Sequence, residues 1–293
     1  MITTTPPVAP PAVPKVAPTV AIVIPSRYGS VRFPGKPLAA VAGITMLQRI
    51  WGIAQQVQRV SGVYIATDDQ RIADHAASFG ATVVMTPAEC ATGTDRVQAV
   101  FAQLPVAERP DAVVNFQGDA LLTPPWVLQA MVDELQQSPS VGMVTPVWQM
   151  SRAQLDQLKK NKESNPSSGT LAVFDKDRNA LYFSKAIIPY FRKLPEGDSI
   201  PVYRHIGLYG YRLDVLDQLS TLPQTPLEVA EGLEQLRALE NGIPIRCVLV
   251  DFRGRTHWSV DAPGDVAVAE QLIAREGELV DFANIFAHTT NPA

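Results

Sequence analysis

The chain has only two cysteines, Cys90 and Cys247, and four histidines in 293 residues. With no CxxC pair and no histidine cluster, it argues against a disulfide framework or a zinc site, leaves at most one bridge, and points to a reducing cytoplasm. Net charge is also small. A balance of −4 gives no overall attraction to nucleic acid or anionic lipid, so an anionic ligand must be held by cations gathered locally. No apolar run is long enough to cross a bilayer, and the N-terminus lacks the basic start and unbroken apolar segment of a signal peptide. Membrane insertion and nucleic-acid binding are therefore not expected. Neither GxGxxG nor GxxxxGK(S/T) follows the first strand-like run, which removes the Rossmann and P-loop readings.

What is present is a chain that is 46% hydrophobic, enough to bury a full core. Pro6, Pro7, Pro10, Pro11, Pro14 and Pro18 mark residues 1–18 as a disordered or polyproline-like tail. From Val20 to Val147, short β-branched runs alternate with helical patterns, the signal of an α/β fold with a doubly wound, mostly parallel sheet. Strands are expected at Val20–Ile24, Val63–Ala66, Thr82–Met85, Ala112–Phe116 and Gly142–Val147. Amphipathic helices are expected at Thr45–Val60, Asp69–Phe79, Thr94–Leu104 and Pro125–Leu135, with Gly80 as a left-handed helix end. Beyond residue 150 the pattern changes to a helix over Ser151–Lys160, a hairpin of Leu171–Phe174 and Ala180–Phe183, a helix over Leu227–Leu239 with Leu227, Leu233, Leu236 and Leu239 facing the core, and a return strand at Ile245–Asp251. Residues 19–293 read as one domain, with 19–150, 151–242 and 243–280 as successive portions.

Chemistry concentrates at the loop Pro25-Ser26-Arg27-Tyr28-Gly29-Ser30-Val31-Arg32-Phe33-Pro34-Gly35-Lys36, which follows the first buried strand. Three cations among small, turn-forming residues at the carboxyl edge of a sheet outline a triphosphate site. Asp119, after the strand Ala112–Phe116, is aimed at the same edge, where a turn or cap is the ordinary reading of such an Asp. His205, Tyr209 and Tyr211 fall at alternate positions and share one face of a strand-like segment.

The loop resembles the signature of sugar-activating nucleotidyltransferases, and most closely that of the CMP-Kdo synthetase family, where Kdo is 3-deoxy-manno-octulosonate. Further matches follow in the family's order: Ala66-Thr67-Asp68-Asp69, Gly93-Thr94-Asp95-Arg96, Asn115-Phe116-Gln117-Gly118-Asp119, Ala180-Leu181-Tyr182-Phe183-Ser184, Arg204-His205-Ile206-Gly207-Leu208-Tyr209-Gly210-Tyr211-Arg212, Leu233-Glu234-Gln235-Leu236-Arg237 and Val260-Asp261-Ala262-Pro263-Gly264-Asp265. The resemblance implies a nucleotide-diphospho-sugar transferase-like fold, with 19–150 binding nucleotide and an antiparallel insert in 151–242 serving the acceptor and a homodimer surface. It implies transfer of CMP from CTP to the anomeric hydroxyl of a 2-ulosonic acid, for lipopolysaccharide or capsule synthesis. Asp119 and Asp261 would bind Mg²⁺, with Asp265 capping the next helix. Arg32 and Lys36 would carry the β,γ-phosphates. Pro25, Ser26, Thr92, Gly93, Gln117 and Gly118 would line the nucleotide, with Arg27 on its phosphates and Arg96 either there or solvated on its helix. Gln117, His205, Tyr209, Glu234 and Gln235 would hold the sugar acid, while Glu228 and Glu231 read as solvent-facing.

Three stretches depart from the family: Ala120-Leu121 where Glu-Pro is usual, Asn165 to Leu171 where a lysine is usual after Asn-Pro, and Gly264 where Glu is usual. They cluster on the acceptor side and leave open Kdo, its 8-amino relative or another such acid. Two other classes fit parts of the pattern, a sugar-1-phosphate nucleotidyltransferase and a CTP-binding regulatory protein that does not turn over. The tail offers no periodic apolar face to pack. Removal of residues 1–18 is expected to leave turnover and melting temperature nearly unchanged, and a clear loss of either would show that the tail docks.

Overall fold

The structure is a computed structural model that describes residues 17–90, 92–193 and 196–287. Most of the proline-rich tail, residues 1–16, lies outside the described residues. In chain order the strands are β1 (Val20–Ser26), β2 (Ala40–Val41), β3 (Ile44–Thr45), β4 (Gly62–Thr67), β5 (Thr82–Met85), β6 (Ala112–Asn115), β7 (Met143–Ser151), β8 (Leu171–Phe174), β9 (Ala180–Ser184), β10 (Ser199–His205), β11 (Tyr209–Arg212) and β12 (Ile245–Leu249). All but the short β2–β3 hairpin join one sheet in the order β5-β4-β1-β6-β11-β7-β10-β8-β9, with β12 on β7. Strands β5, β4, β1 and β6 run parallel, as does the β12–β7 pair. Antiparallel pairing enters with β11, β10, β8 and β9, so the expected insert is built into the main sheet.

Alternation along β1 places Val20, Ile22 and Ile24 in the apolar cluster on one face, and Ala21 and Val23 in the cluster on the other. Helices cover both faces, which is why this strand is apolar throughout. Local signals set where the helices begin. Thr45 with Gln48, Thr92 with Asp95 and Ser151 with Gln154 each form a capping box, at the starts of the helices Met46–Ala54, Gly93–Ala102 and Arg152–Ser164. Gly80, at φ 78°, follows the helix Gln70–Ser78 as anticipated. Cys90 and Cys247 are free thiols, and burial pushes Cys247 up to about 12.

Several expectations need correction. The helix from Thr45 stops at Ala54 rather than Val60; further on, Arg59 takes φ 59°, a conformation a helix cannot continue through, and pairs with Asp133 at 2.6 Å. The stretch Leu227–Leu239 is two helices, Pro226–Glu231 and Gln235–Glu240, divided by Gly232 in the left-handed conformation (φ 61°). The break leaves Leu227 exposed rather than facing the core. Nor are Glu228 and Glu231 solvated charges. Glu228 is buried and paired with Arg237, while Glu231 accepts from Ser184 Oγ at 2.6 Å and from the Lys185 N–H at 2.9 Å. Apolar periodicity cannot see that a glycine has turned the chain or that a carboxylate has found a partner.

Glu228 spans the break, accepting from Arg237 on the second helix and from the Thr225 N–H at the start of the first. The Arg237 hydrogen bond holds its carboxyl below the ordinary value. Glu228→Gln strands a largely buried guanidinium, and a loss of about 3 kcal/mol in unfolding free energy is expected from denaturant titration. A change below about 0.5 kcal/mol would show that the pair does not hold the two helices.

Candidate active site

The first part of the candidate site grows out of β1. After Ser26 the chain folds back on itself, with the Gly35 N–H donating to Tyr28 O at 2.9 Å. Gly35 sits at φ 70°, and a Cβ there would lie 3.1 Å from the Tyr28 ring, so this turn requires glycine. The Tyr28 ring is covered by the Arg71 guanidinium at 3.3 Å. The fold-back delivers Lys36, whose Nζ donates to Val260 O at 3.1 Å and lies 3.6 Å from Asp119. Arg32 pairs with Asp261 at 3.0 Å. The loops carrying the two aspartates are themselves joined, because the Val260 N–H donates to Asp119 O at 3.1 Å.

Asp265 lies within the first turn of the helix Gly264–Glu276, whose N-cap is Pro263. It is not that helix's N-cap residue as expected. Its carboxylate accepts from the N–H groups of Asp261 and Ala262, both at 2.8 Å, and so fixes the loop that presents Asp261. Enclosure in the cleft pushes the Asp119 carboxyl above its ordinary value; Lys36 opposes this and nearby Asp261 adds to it. Two carboxylates, Asp119 and Asp261, thus converge on one edge of the cleft, each matched to a cation.

A cleft of about 210 Å³ opens here. Pro25, Ser26 and Arg27 come from the end of β1, Thr92, Gly93 and Arg96 from the capped start of the next helix, and Gln117, Gly118 and Asp119 from the end of β6, while Arg32, Lys36 and Asp261 complete the wall. Among the described residues, buried Ser26 Oγ has no hydrogen-bond partner, and a buried polar atom left this way suits a ligand. Gly93 lies close under the Gln117 amide, where a Cβ would stand 3.1 Å from Nε2. Arg96 is neither solvated nor free to reach out. It is 3% exposed, bound to Asp68 at 3.2 Å and to Thr86 Oγ1 at 2.6 Å, and serves as the floor of the cleft.

A second cavity, of about 480 Å³, adjoins the first, and Gly93, Gln117 and Asp119 border both. His205, Tyr209, Glu234 and Gln235 line it. The expected single strand through His205, Tyr209 and Tyr211 is interrupted at Ile206–Leu208, and its pairing with β7 resumes out of register. The rings still follow one another, His205 to Tyr209 at 5.7 Å and Tyr209 to Tyr211 at 6.1 Å. The buried Thr145 hydroxyl donates to Leu208 O at 2.8 Å and meets His205 Nε2 at 2.9 Å. Its proton being so used, Nε2 is the protonated nitrogen and Nδ1 the acceptor.

Burial, reinforced by Arg204, pulls His205 down to about 3 and His257 to about 4, so both are neutral near pH 7. The Tyr209 hydroxyl, its own pKa raised by burial, donates to Gln235 Oε1 at 2.8 Å. That leaves the buried Gln235 Nε2 without a partner among the described residues. Burial also raises the Glu234 carboxyl, against a hydrogen bond from Thr94. The sequence reading missed Arg204, His257 and Ser259 in this wall. Arg204 stood within a matched stretch, whereas His257 gave no signal of spacing.

A cytidylyltransferase family profile matches residues 21–246. The chain belongs to the cytidylyltransferase family. It is 51% identical over 262 residues to the 3-deoxy-manno-octulosonate cytidylyltransferase of Maricaulis maris, covering 89% of this chain and 100% of that one. It is 40% identical to the 8-amino-3,8-dideoxy-manno-octulosonate cytidylyltransferase of Shewanella piezotolerans, over 87% and 98% of the two chains. Among solved structures, a CMP:2-keto-3-deoxy-manno-octonic acid synthetase complexed with CTP superposes with a TM-score of 0.77 and 34% identity, over 88% of this chain and 99% of that one. These likenesses agree with the fold and enzyme class expected from the motifs.

The neutral imidazoles of this cytidylyltransferase have a measurable consequence. Unfolded histidines take up protons near 6.5 and the folded ones only near 4 and 3, so the unfolded state binds more protons in between and stability falls as pH drops from 6.5. Denaturant midpoints from pH 7 to pH 5, above most carboxyl titrations, should fall in the wild type and stay flatter in His205→Gln/His257→Gln. An equally steep fall in the double variant would place the proton uptake elsewhere.

Proposed function

We propose that the chain transfers CMP from CTP to the anomeric hydroxyl of a 3-deoxy-2-ulosonic acid, with Kdo the acceptor, giving CMP-Kdo and pyrophosphate. The observation that carries this reading is the shared wall. One cavity lined by Arg27, Arg32 and Lys36 and a second lined by neutral hydrogen-bonding groups meet at Asp119, Gln117 and Gly93, so a nucleotide's α-phosphate and a sugar hydroxyl can be brought together there. The M. maris relative, named for Kdo, is more similar than the S. piezotolerans relative named for the 8-amino sugar, which favours Kdo.

In this reading the hydroxyl attacks the α-phosphate in line, and the bond to the departing pyrophosphate breaks. Asp119 and Asp261 supply the hard oxygen donors that suit Mg²⁺, with phosphate oxygens and water for the rest of its shell. Bound there, the ion would draw charge from the α-phosphate and lower the hydroxyl pKa. Arg32 and Lys36 neutralise the two carboxylates and carry the outer phosphates. Gln235 Nε2, His205 Nδ1 and Gln117 fix the sugar by hydrogen bonds, so alignment is the protein's main contribution. Exposed Leu181, Tyr190, Leu227 and Val229, all between residues 151 and 242, support a homodimer surface. The product would feed lipopolysaccharide or capsule synthesis in the cytoplasm.

The test is pyrophosphate release with CTP, Mg²⁺ and a panel of ulosonic acids. Kdo should be turned over. A nucleoside diphosphate sugar formed from a sugar 1-phosphate would instead identify a pyrophosphorylase, and CTP binding without release would identify a regulatory protein. Asp119→Asn should stay folded and lose about 3 kcal/mol of transition-state stabilisation, roughly a 100-fold slower reaction. Unchanged turnover in that variant would refute the metal site.

A further inference from the structure

We propose that Arg204 takes the carboxylate of the acceptor, and is therefore the residue that makes this enzyme choose an acid over a neutral sugar. The inference rests on the reading of the second cavity as the acceptor pocket. Of the side chains lining that cavity, Arg204 is the only lysine or arginine. The two imidazoles are neutral, and Asp119 and Glu234 are the acids. An acceptor carboxylate entering this pocket would meet two carboxyl groups and one permanent cation in the lining, with the Lys185 ammonium outside that lining beside Gly232.

That cation is uncommitted. Among the described residues the Arg204 guanidinium has no ion pair and no hydrogen bond, although burial is sufficient to pull its pKa down. It is held by shape instead. The guanidinium lies 5.9 Å from the Trp148 ring centroid and against the backbone of Gly169, where a Cβ would come within 2.0 Å of Nη1. Glycine at 169, inside the stretch that departs from the family, is what admits the arginine. A largely buried, unpaired guanidinium is costly, and a ligand that supplies its counter-charge recovers that cost on binding.

The surroundings do not neutralise it. Lys162 is spent on a clamp, donating to the carbonyls of Pro166, Ser168, Gly169 and Lys185. Lys185 Nζ lies 3.3 Å from where a Cβ of Gly232 would stand, at the pocket rim, and has no partner of its own among the described residues. Glu231 is the nearby carboxylate, and it is already bound to Ser184 Oγ and the Lys185 N–H. In a 2-ulosonic acid the carboxylate and the reacting hydroxyl are borne on one carbon, so a two-point hold on the carboxylate also orients the nucleophile.

The experiment compares Kdo with its C1 amide, a neutral near-isostere, in wild type, Arg204→Gln and Arg204→Lys, with CTP affinity measured by calorimetry. Wild type should prefer the acid in kcat/KM by roughly 100-fold. Arg204→Gln should shrink that preference to about tenfold or less, chiefly through the KM for Kdo, and leave the Kd for CTP within about twofold. Arg204→Lys, which keeps the charge and loses the fork, should retain the preference with an intermediate KM.

A wild type that uses the amide as well as the acid would overturn the assignment while leaving cytidylyl transfer standing. So would Arg204→Gln that binds CTP normally and still discriminates 100-fold. A wild type that binds CTP and releases no pyrophosphate with any ulosonic acid would overturn the functional reading, and this inference with it.

Discussion

The active site depends on one junction, where Lys36 Nζ reaches Val260 O at 3.1 Å and Asp119 at 3.6 Å, and the Val260 N–H reaches Asp119 O at 3.1 Å. Three stretches separated by more than eighty residues each are pinned within a few ångströms by these contacts. The sheet alone would not do this. It brings the ends of β1 and β6 side by side, but the loop bearing Asp261 follows the strand β12, which pairs with β7 and stands apart from β1. Lys36 therefore acts both as a charge, tempering two carboxylates that repel each other, and as a brace for the loop that carries the second of them.

Much of this was legible in the sequence because it follows from local rules. The parallel half announces itself through β-branched runs alternating with helical patterns, and the basic loop and Asp119 follow from the rule that ligands sit beyond the carboxyl ends of strands. What escaped notice depends on contacts between remote residues. Arg96 reads equally as a phosphate contact or a solvated helix residue until Asp68 and Thr86 are seen around it. Glu228 reads as solvated until Gly232 turns the chain and places Arg237 opposite it. His257 enters the acceptor wall from a segment with no regular structure, where spacing carries no information.

The two halves of the site are prepared differently. On the nucleotide side, charges are paired in advance, Arg32 with Asp261 and Lys36 with Asp119, so binding there exchanges one set of ion pairs for another. On the acceptor side, hydrogen bonds fix orientation and leave a single free function on each group. Thr145 fixes the ring of His205, and Tyr209 fixes the amide of Gln235. Preset orientations of this kind reduce the freedom that a bound sugar must remove and favour one register of its hydroxyls.

The departures from the family pattern can be understood through the same distinction. Ala120 is 5% exposed, packed in the core while also bordering the acceptor pocket, so the absence of a carboxylate there leaves that wall less negative without touching the Asp119 and Asp261 pair. Gly264 has open space around its Cβ position, and the neighbouring Asp265 already satisfies the Asp261 loop amides. A charge at 264 is thus not needed to hold Asp261 in place. The altered stretch after Asn165 is organised by Lys162, which donates to three of its carbonyls, so it has a defined shape despite lacking the usual lysine. The differences at Ala120 and after Asn165 touch the second cavity, which Ala120, Gly169 and Thr170 line, whereas Gly264 lies beside the Asp261 loop and outside that lining, so the expected clustering on the acceptor side holds for two of the three.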